Sequence, residues 1–101
     1  MISKTYTETI FKRHVMSDLT KLGYGFVLKT QERTVKGIPD LLACFKGKFI
    51  AIELKVDGEE ATPIQKYRIK QIVKAGGLAF VTTPTEWPVH LEIIKSALER
   101  L

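Results

Sequence analysis

The chain has one cysteine, Cys44, among 101 residues, so no intramolecular disulfide can staple it. No apolar run approaches the ~20 residues that cross a bilayer, and Met1 to Tyr6 lack the apolar stretch of a secretory signal. No Pro/Gly/Ser stretch is long enough to act as a linker, and no internal repeat or low-complexity segment occurs. There is no Gly-rich phosphate loop, and His14 and His90 lack zinc-ligand spacing. These absences predict a single domain over residues 1–101 in a reducing, cytoplasmic compartment. A chain of this size buries roughly two-thirds of its unfolded surface, enough for a core without staples. Cys44, between Ala43 and Phe45, is expected in that core.

Acidic residues are in deficit. Sixteen Lys and Arg stand against eleven Asp and Glu, and the surplus lies in residues 1–74, with 14 basic and 8 acidic side chains. A basic excess of this size suits a polyanion such as nucleic acid, and it is also common in plain cytosolic domains.

Apolar spacing predicts the order αβββαβα. Phe11, Val15, Leu19 and Leu22 recur at helical spacing between Lys4 and Leu22, and Gly23 stops the helix. Tyr24 to Val35 is rich in β-formers. Ile38–Phe45 and Phe49–Val56 flank Lys46-Gly47, a hairpin pattern. Thr62-Pro63-Ile64-Gln65 carries an N-cap, a proline at N1 and a capping-box glutamine, opening a helix that runs to about Ala75. Leu78 to Thr83 reads as a buried strand, and Leu91, Ile94, Leu98 and Leu101 mark a closing helix. A hairpin followed by a helical crossover predicts an α/β fold, a mixed central sheet with helices on both faces.

Three polar residues interrupt the strand patterns: Asp40 before Leu41-Leu42-Ala43, and Glu53 and Lys55 within Ile50–Val56. A two-residue Lys46-Gly47 turn opposes Phe45 to Lys48 and therefore Asp40 to Glu53, on one face with Cβ atoms about 5 Å apart. A register longer by two opposes Asp40 to Lys55 instead, and a slip of one residue separates the carboxylates. Two carboxylates that close repel by roughly 3 kcal/mol at an effective dielectric near 20. A shared proton, the Lys55 ammonium or a divalent cation would offset this; a plain charge network on an exposed sheet face is the alternative. Mg²⁺ is commonly held by one or two carboxylates with waters and phosphates completing its shell.

Glu8 falls inside the apolar stripe of the first helix. It either reaches the Asp40/Glu53 pair or simply complements the helix dipole as a first-turn acid. Gln65 shares a helical face with Ile69, Ile72 and Val73, and capping alone would account for it.

Gly37-Ile38-Pro39-Asp40, Glu53-Leu54-Lys55 and Thr62-Pro63-Ile64-Gln65 together resemble the virus-type replication-repair nuclease (VRR-NUC) family of the PD-(D/E)xK nuclease superfamily, with its G-x-P-D, E-x-K and S-P-x-Q pattern. Thr62 stands where the family more often has Ser and keeps the N-cap chemistry. The resemblance implies an αβββαβ restriction-endonuclease-like core, to which this chain adds a C-terminal helix, and Mg²⁺- or Mn²⁺-dependent hydrolysis of DNA phosphodiesters. By position it makes Asp40, Glu53 and the Leu54 backbone carbonyl metal ligands. Lys55 would hold or activate the attacking water, Glu8 would be an accessory ligand or orient metal-bound water, and Gln65 would position the site. Compact members of such a family suit a phage, which would place the protein in the host cytoplasm. Stand-alone members further suggest a homodimer resolving four-way (Holliday) junctions in DNA repair and recombination. Cutting of flap or linear DNA, and a non-catalytic DNA-binding module, are the rival readings; an interaction domain with a mere charge network is a third.

Lys29, Arg33 and Lys36 lead into Gly37 and are candidates for DNA backbone contacts. Lys66, Lys70 and Lys74 recur at i, i+4 and i+8, either tracking phosphates or forming a solvated helix face. Trp87, Leu91, Ile94, Leu98 and Leu101 make either a dimer interface or ordinary core.

Overall fold

The computed structural model describes residues 7–31 and 34–101. Thr7 opens the first helix: its side chain accepts a hydrogen bond from Ile10 N–H at 3.3 Å, capping α1 (Glu8–Thr20). The elements that follow are β1 (Gly25–Lys29), β2 (Leu41–Phe45), β3 (Lys48–Leu54), α2 (Pro63–Lys74), β4 (Leu78–Thr82) and α3 (Trp87–Glu99). They form a four-stranded sheet in the order β1-β2-β3-β4, antiparallel except for the parallel β3–β4 pair. The α2 crossover makes that pair parallel, since a tight turn can only join antiparallel strands. No helix among the described residues is long and apolar enough to cross a membrane.

The β2–β3 turn has the predicted length. Lys46 and Gly47 sit at φ 53° and 79°, the left-handed pair that a type I′ turn requires, and Phe45 opposes Lys48. Every later pair in the ladder follows, ending at Leu41 opposite Ile52.

Alternation then sorts the two sheet faces. Leu41, Ala43, Phe45, Ile50, Ile52 and Leu54 join Phe11, Val15 and Leu19 of α1 and Trp87, Ile94 and Leu98 of α3 in one buried cluster. α2 packs over β4 and β3 on the opposite face, so the helices flank the sheet on both sides. The α3 stripe is therefore core: Trp87, Ile94 and Leu98 are buried and Leu91 packs against them, while Leu101 is exposed. The Trp87 indole N–H also donates to Asp18 Oδ2 at 2.8 Å, tying α3 to α1.

Three expectations need correction. β1 is shorter than the aromatic run suggests, because its pairing with β2 runs out at Thr30, whose N–H donates to the Asp40 carbonyl at 2.9 Å. Cys44 is exposed, not core, since Ala43 and Phe45 take the buried face and alternation turns Cys44 to the other. Glu8 is exposed at the start of α1, below the apolar stripe that begins at Phe11. The expected helical residues Lys4 to Tyr6 lie outside the described residues.

Candidate active site

The turn register carries its consequence to the far end of the hairpin. Asp40 immediately precedes β2, and continuing the β2–β3 ladder by one pair sets it opposite Glu53. Pairing cannot continue past that point, because Pro39 has no N–H to give. The Lys55 N–H is directed to β4, donating to the Thr82 carbonyl at 3.0 Å. That of Leu54 therefore faces the β2 side, where the Asp40 carboxylate replaces the missing backbone partner: Oδ2 accepts from Leu54 N–H at 2.8 Å. In a strand the carbonyl points to the same edge as its own N–H, so the Leu54 carbonyl opens toward the same gap.

The approach to Asp40 is held as firmly. Gly37 adopts φ 79°, and a Cβ there would come 2.8 Å from the Ile64 carbonyl oxygen and 2.9 Å from Ile64 Cγ1. Both the backbone conformation and the contact with α2 exclude a larger residue. Pro39 is fully buried, and Thr30 Oγ1 donates to its carbonyl at 2.8 Å. Gly37→Ala is accordingly expected to destabilise the fold by ~1–3 kcal/mol, measured by urea denaturation. A variant as stable as the parent would contradict this account of the turn.

Glu53 is the anomaly of the site. It is 2% exposed, and its Oε1 is buried with no hydrogen-bond partner. Lys55 Nζ lies 3.7 Å from the other oxygen, Oε2. Burial first, then the Asp40 charge, push its pKa from 4.5 up to about 7; Lys55 pulls it down and Glu8 raises it further. A buried carboxylate oxygen without a donor costs on the order of several kcal/mol if ionised. A hard cation between Glu53 and Asp40 would supply the missing partner. Among the described residues no group of three or more His, Cys, Asp or Glu is arranged to hold a metal. Asp40 and Glu53 could still hold a hard cation beside the Leu54 carbonyl, since Mg²⁺ commonly takes only one or two protein carboxylates.

The remaining expected residues fall into two groups. Glu8 is near enough for its charge to act on Glu53. Gln65 completes a capping box: its Oε1 accepts from Thr62 N–H at 2.8 Å, and its own N–H donates to Thr62 Oγ1 at 3.3 Å. Its amide oxygen is thereby committed to α2. Lys29, Lys36, Lys66 and Lys70 are exposed; Lys36 is fixed through its carbonyl, which accepts from Arg68 Nε at 3.1 Å. Arg33 lies outside the described residues.

Two supports went unread in the sequence. Thr30 braces Pro39 and Asp40 from β1, and only the β1–β2 register, hidden by a long connection, could have revealed it. Asp57 accepts from Thr85 Oγ1 at 2.9 Å and Thr85 N–H at 3.3 Å, clamping the loop after β3 to the turn before α3. That hydroxyl bond holds the Asp57 carboxyl below its usual range.

Asp40 thus stands opposite a Glu53-Leu54-Lys55 segment on a mixed α/β sheet, the spacing on which the PD-(D/E)xK resemblance rests. A solved structure described as a VRR_NUC domain matches with a TM-score of 0.64 and 26% identity, over 73% of this chain and 81% of that one. In sequence, 59 residues (57% of the chain) are 37% identical to "Putative nuclease p44" of Acyrthosiphon pisum secondary endosymbiont phage 1, spanning 62% of that protein. No family model matches the chain. The VRR-NUC resemblance carried by the motifs thus extends to the fold, with a distant phage relative beside it.

Proposed function

We propose that this protein is a metal-dependent endonuclease that hydrolyses phosphodiester bonds of DNA. The buried, donorless Oε1 of Glu53 opposite Asp40 carries the reading: a structural charge network would pair that oxygen, whereas a cation site leaves it open. Asp40, Glu53 and the Leu54 carbonyl would hold Mg²⁺ or Mn²⁺. Such an ion lowers the pKa of a bound water and offsets charge on the phosphoryl oxygens. Lys55 orients the attacking water and meets the negative charge that grows on the phosphate. Glu8, whose charge acts on Glu53, would be an accessory ligand or orient metal-bound water, and Gln65, which caps α2, would position the site.

The exposed Lys29, Lys36, Lys66 and Lys70 would track the DNA backbone, with Arg33 as a further member. These contacts position the duplex without reading its sequence. Lys66→Ala and Lys70→Ala are each expected to weaken DNA binding and to reduce the slope of log affinity against log salt by about one. Unchanged slopes would make this a solvated helix face.

The finer reading is a homodimer cutting paired strands of a branched substrate, with the four-way junction foremost. The deciding experiment is cleavage of labelled linear duplex, single strand, flap and four-way junction with Mg²⁺, Mn²⁺ or EDTA, with Asp40→Ala as control. Metal-dependent cutting lost in the variant supports the enzyme, and paired cuts confined to the junction support the resolvase. A folded, metal-replete protein that binds DNA and cuts nothing would make it a binding module.

A further inference from the structure

α2 carries four cations, Lys66, Arg68, Lys70 and Lys74, and no acidic residue. At about 100° per residue, its half-buried residues Gln65, Arg68, Ile69 and Ile72 form the face turned to the sheet. Tyr67, Lys70, Gln71 and Lys74 form the opposite, exposed face. Among the described residues none of the four cations is ion-paired. Tyr67, Lys70, Gln71, Lys74 and Ala75 line an open groove of about 500 Å³ along that outer face, a size that suits a small ligand.

Tyr67 is the only aromatic residue of this helix, and it is 52% exposed. A solitary exposed ring is ordinary; this one is held in place. The Arg68 guanidinium lies over it, 5.7 Å from the ring centroid. That guanidinium is fixed in turn, with Nε donating to the Lys36 carbonyl at 3.1 Å and Nη1 donating to Gln71 Oε1 at 2.9 Å. A cation so placed is attracted to the ring face and restrains the ring. The rest of the ring surface is open to solvent beside Lys70 and Lys74.

A restrained aromatic surface among free ammonium groups matches the two parts of a nucleotide. The ring offers a stacking partner to any base, and the lysines take the phosphates. Lys70 follows Tyr67 by one helical turn, with Cβ atoms about 5–6 Å apart, so a base on the ring sets its phosphate within reach of that ammonium. An acidic peptide would use the same cations and leave the ring idle. Bases inside a duplex are covered on both faces by their neighbours, so only an unpaired base can lie on Tyr67.

We propose that the outer face of α2 is a single-strand subsite, in which Tyr67 stacks on an unpaired base while Lys70 and Lys74 hold the adjoining phosphates. The proposal rests on the reading of this protein as a DNA nuclease and adds a substrate requirement to it. Ile64, one turn before Tyr67, lies against Gly37, and Gly37 is three residues ahead of Asp40. Tyr67 is therefore within roughly 20 Å of Asp40, about six base steps along one strand. The preferred substrate then carries an unpaired nucleotide within that distance of the cut.

Fluorescence anisotropy of the full chain tests this, with a labelled blunt duplex and the same duplex bearing a short single-stranded tail, in EDTA so that nothing is cut. The parent is expected to bind the tailed form at least about fivefold more tightly, the low end of what one stacked base contributes. Tyr67→Phe should keep this preference. Tyr67→Ala, with unchanged circular dichroism, should lose it while the slope of log affinity against log salt stays the same, because stacking releases no counterion. A fluorescent adenine analogue in the tail should be quenched by the parent and by Tyr67→Phe, and not by Tyr67→Ala. Equal affinity for the two duplexes or an unquenched analogue would overturn the proposal. So would a Tyr67→Phe variant that behaves as Tyr67→Ala, which would make the hydroxyl a phosphate contact. A salt slope that falls by about one in Tyr67→Ala would also overturn it, since the ring would then merely position Arg68. Tail preference in a protein that cuts no DNA would sink the nuclease reading and leave the subsite standing; cutting without a Tyr67-dependent preference would do the reverse.

Discussion

Glu53→Gln is expected to stabilise the metal-free protein above pH 7 while abolishing both metal binding and cleavage. Holding a carboxyl with a folded pKa of about 7 instead of 4.5 disfavours the ionised native state by about 3 kcal/mol at alkaline pH. The sign follows from proton counting. Between pH 4.5 and 7 the folded protein keeps a proton on Glu53 that the unfolded chain has lost, so stability falls as pH rises through this window and levels off above it. Glutamine fills the same volume without the charge, although its amide must also find partners and the Lys55 contact is lost. A net gain of ~1–2 kcal/mol remains, roughly 5–10 °C in Tm for a domain of this size. Mg²⁺ reverses the comparison: it should raise the Tm of the parent, increasingly toward pH 7 as the proton leaves Glu53, and leave the variant unmoved. Thermal melts of both proteins from pH 5 to 8.5, with EDTA or Mg²⁺, provide the check. A variant less stable than the parent at pH 8 in EDTA would mean that Glu53 is a satisfied structural residue, and the cation reading would fall with it.

Much of this site was legible because hairpin arithmetic is discrete. A two-residue Lys46-Gly47 loop fixes every later pair, so once that turn length is chosen over the longer or slipped registers, the Asp40/Glu53 juxtaposition follows six residues away from it. Thr62 and Gln65 were equally readable, since a capping box is local. What stayed hidden depends on registers that no local rule sets. The connection from β1 to β2 spans more than ten residues, so nothing in the sequence placed Thr30 beside Pro39 and Asp40 or ended β1 at Lys29. Cys44 misled because an apolar run of four or five residues looks buried on both faces, whereas α2 reaches only the β3–β4 half of the sheet. The α3 stripe presented the opposite difficulty: amphipathic periodicity shows that a face is covered and never by what, and here α1 and the sheet, not a partner, cover it.

Lys55→Met is expected to lower the cleavage rate by ~10²–10⁴ and to move its pH dependence upward, two effects with one cause. The ammonium lies 3.7 Å from Glu53 Oε2 and is itself only 16% exposed, so its charge is weakly screened. Methionine keeps much of the packing of the stem and removes the charge. Without it the influence that draws the Glu53 pKa down is gone, and the carboxyl, already near 7, holds its proton to higher pH. Mg²⁺ stabilisation should therefore shrink at pH 7 and recover at pH 9, while the rate stays low throughout because no cation faces the growing charge on the phosphate. Lys55→Arg separates the two contributions: its charge should restore metal stabilisation at pH 7, but the wider guanidinium cannot take the place of a compact ammonium beside water and phosphate. Rates and metal-dependent melts measured across pH for the three proteins test the coupling. If Lys55→Met loses activity while the pH dependence of its metal stabilisation matches the parent's, Lys55 acts on substrate alone and its contact with Glu53 is incidental.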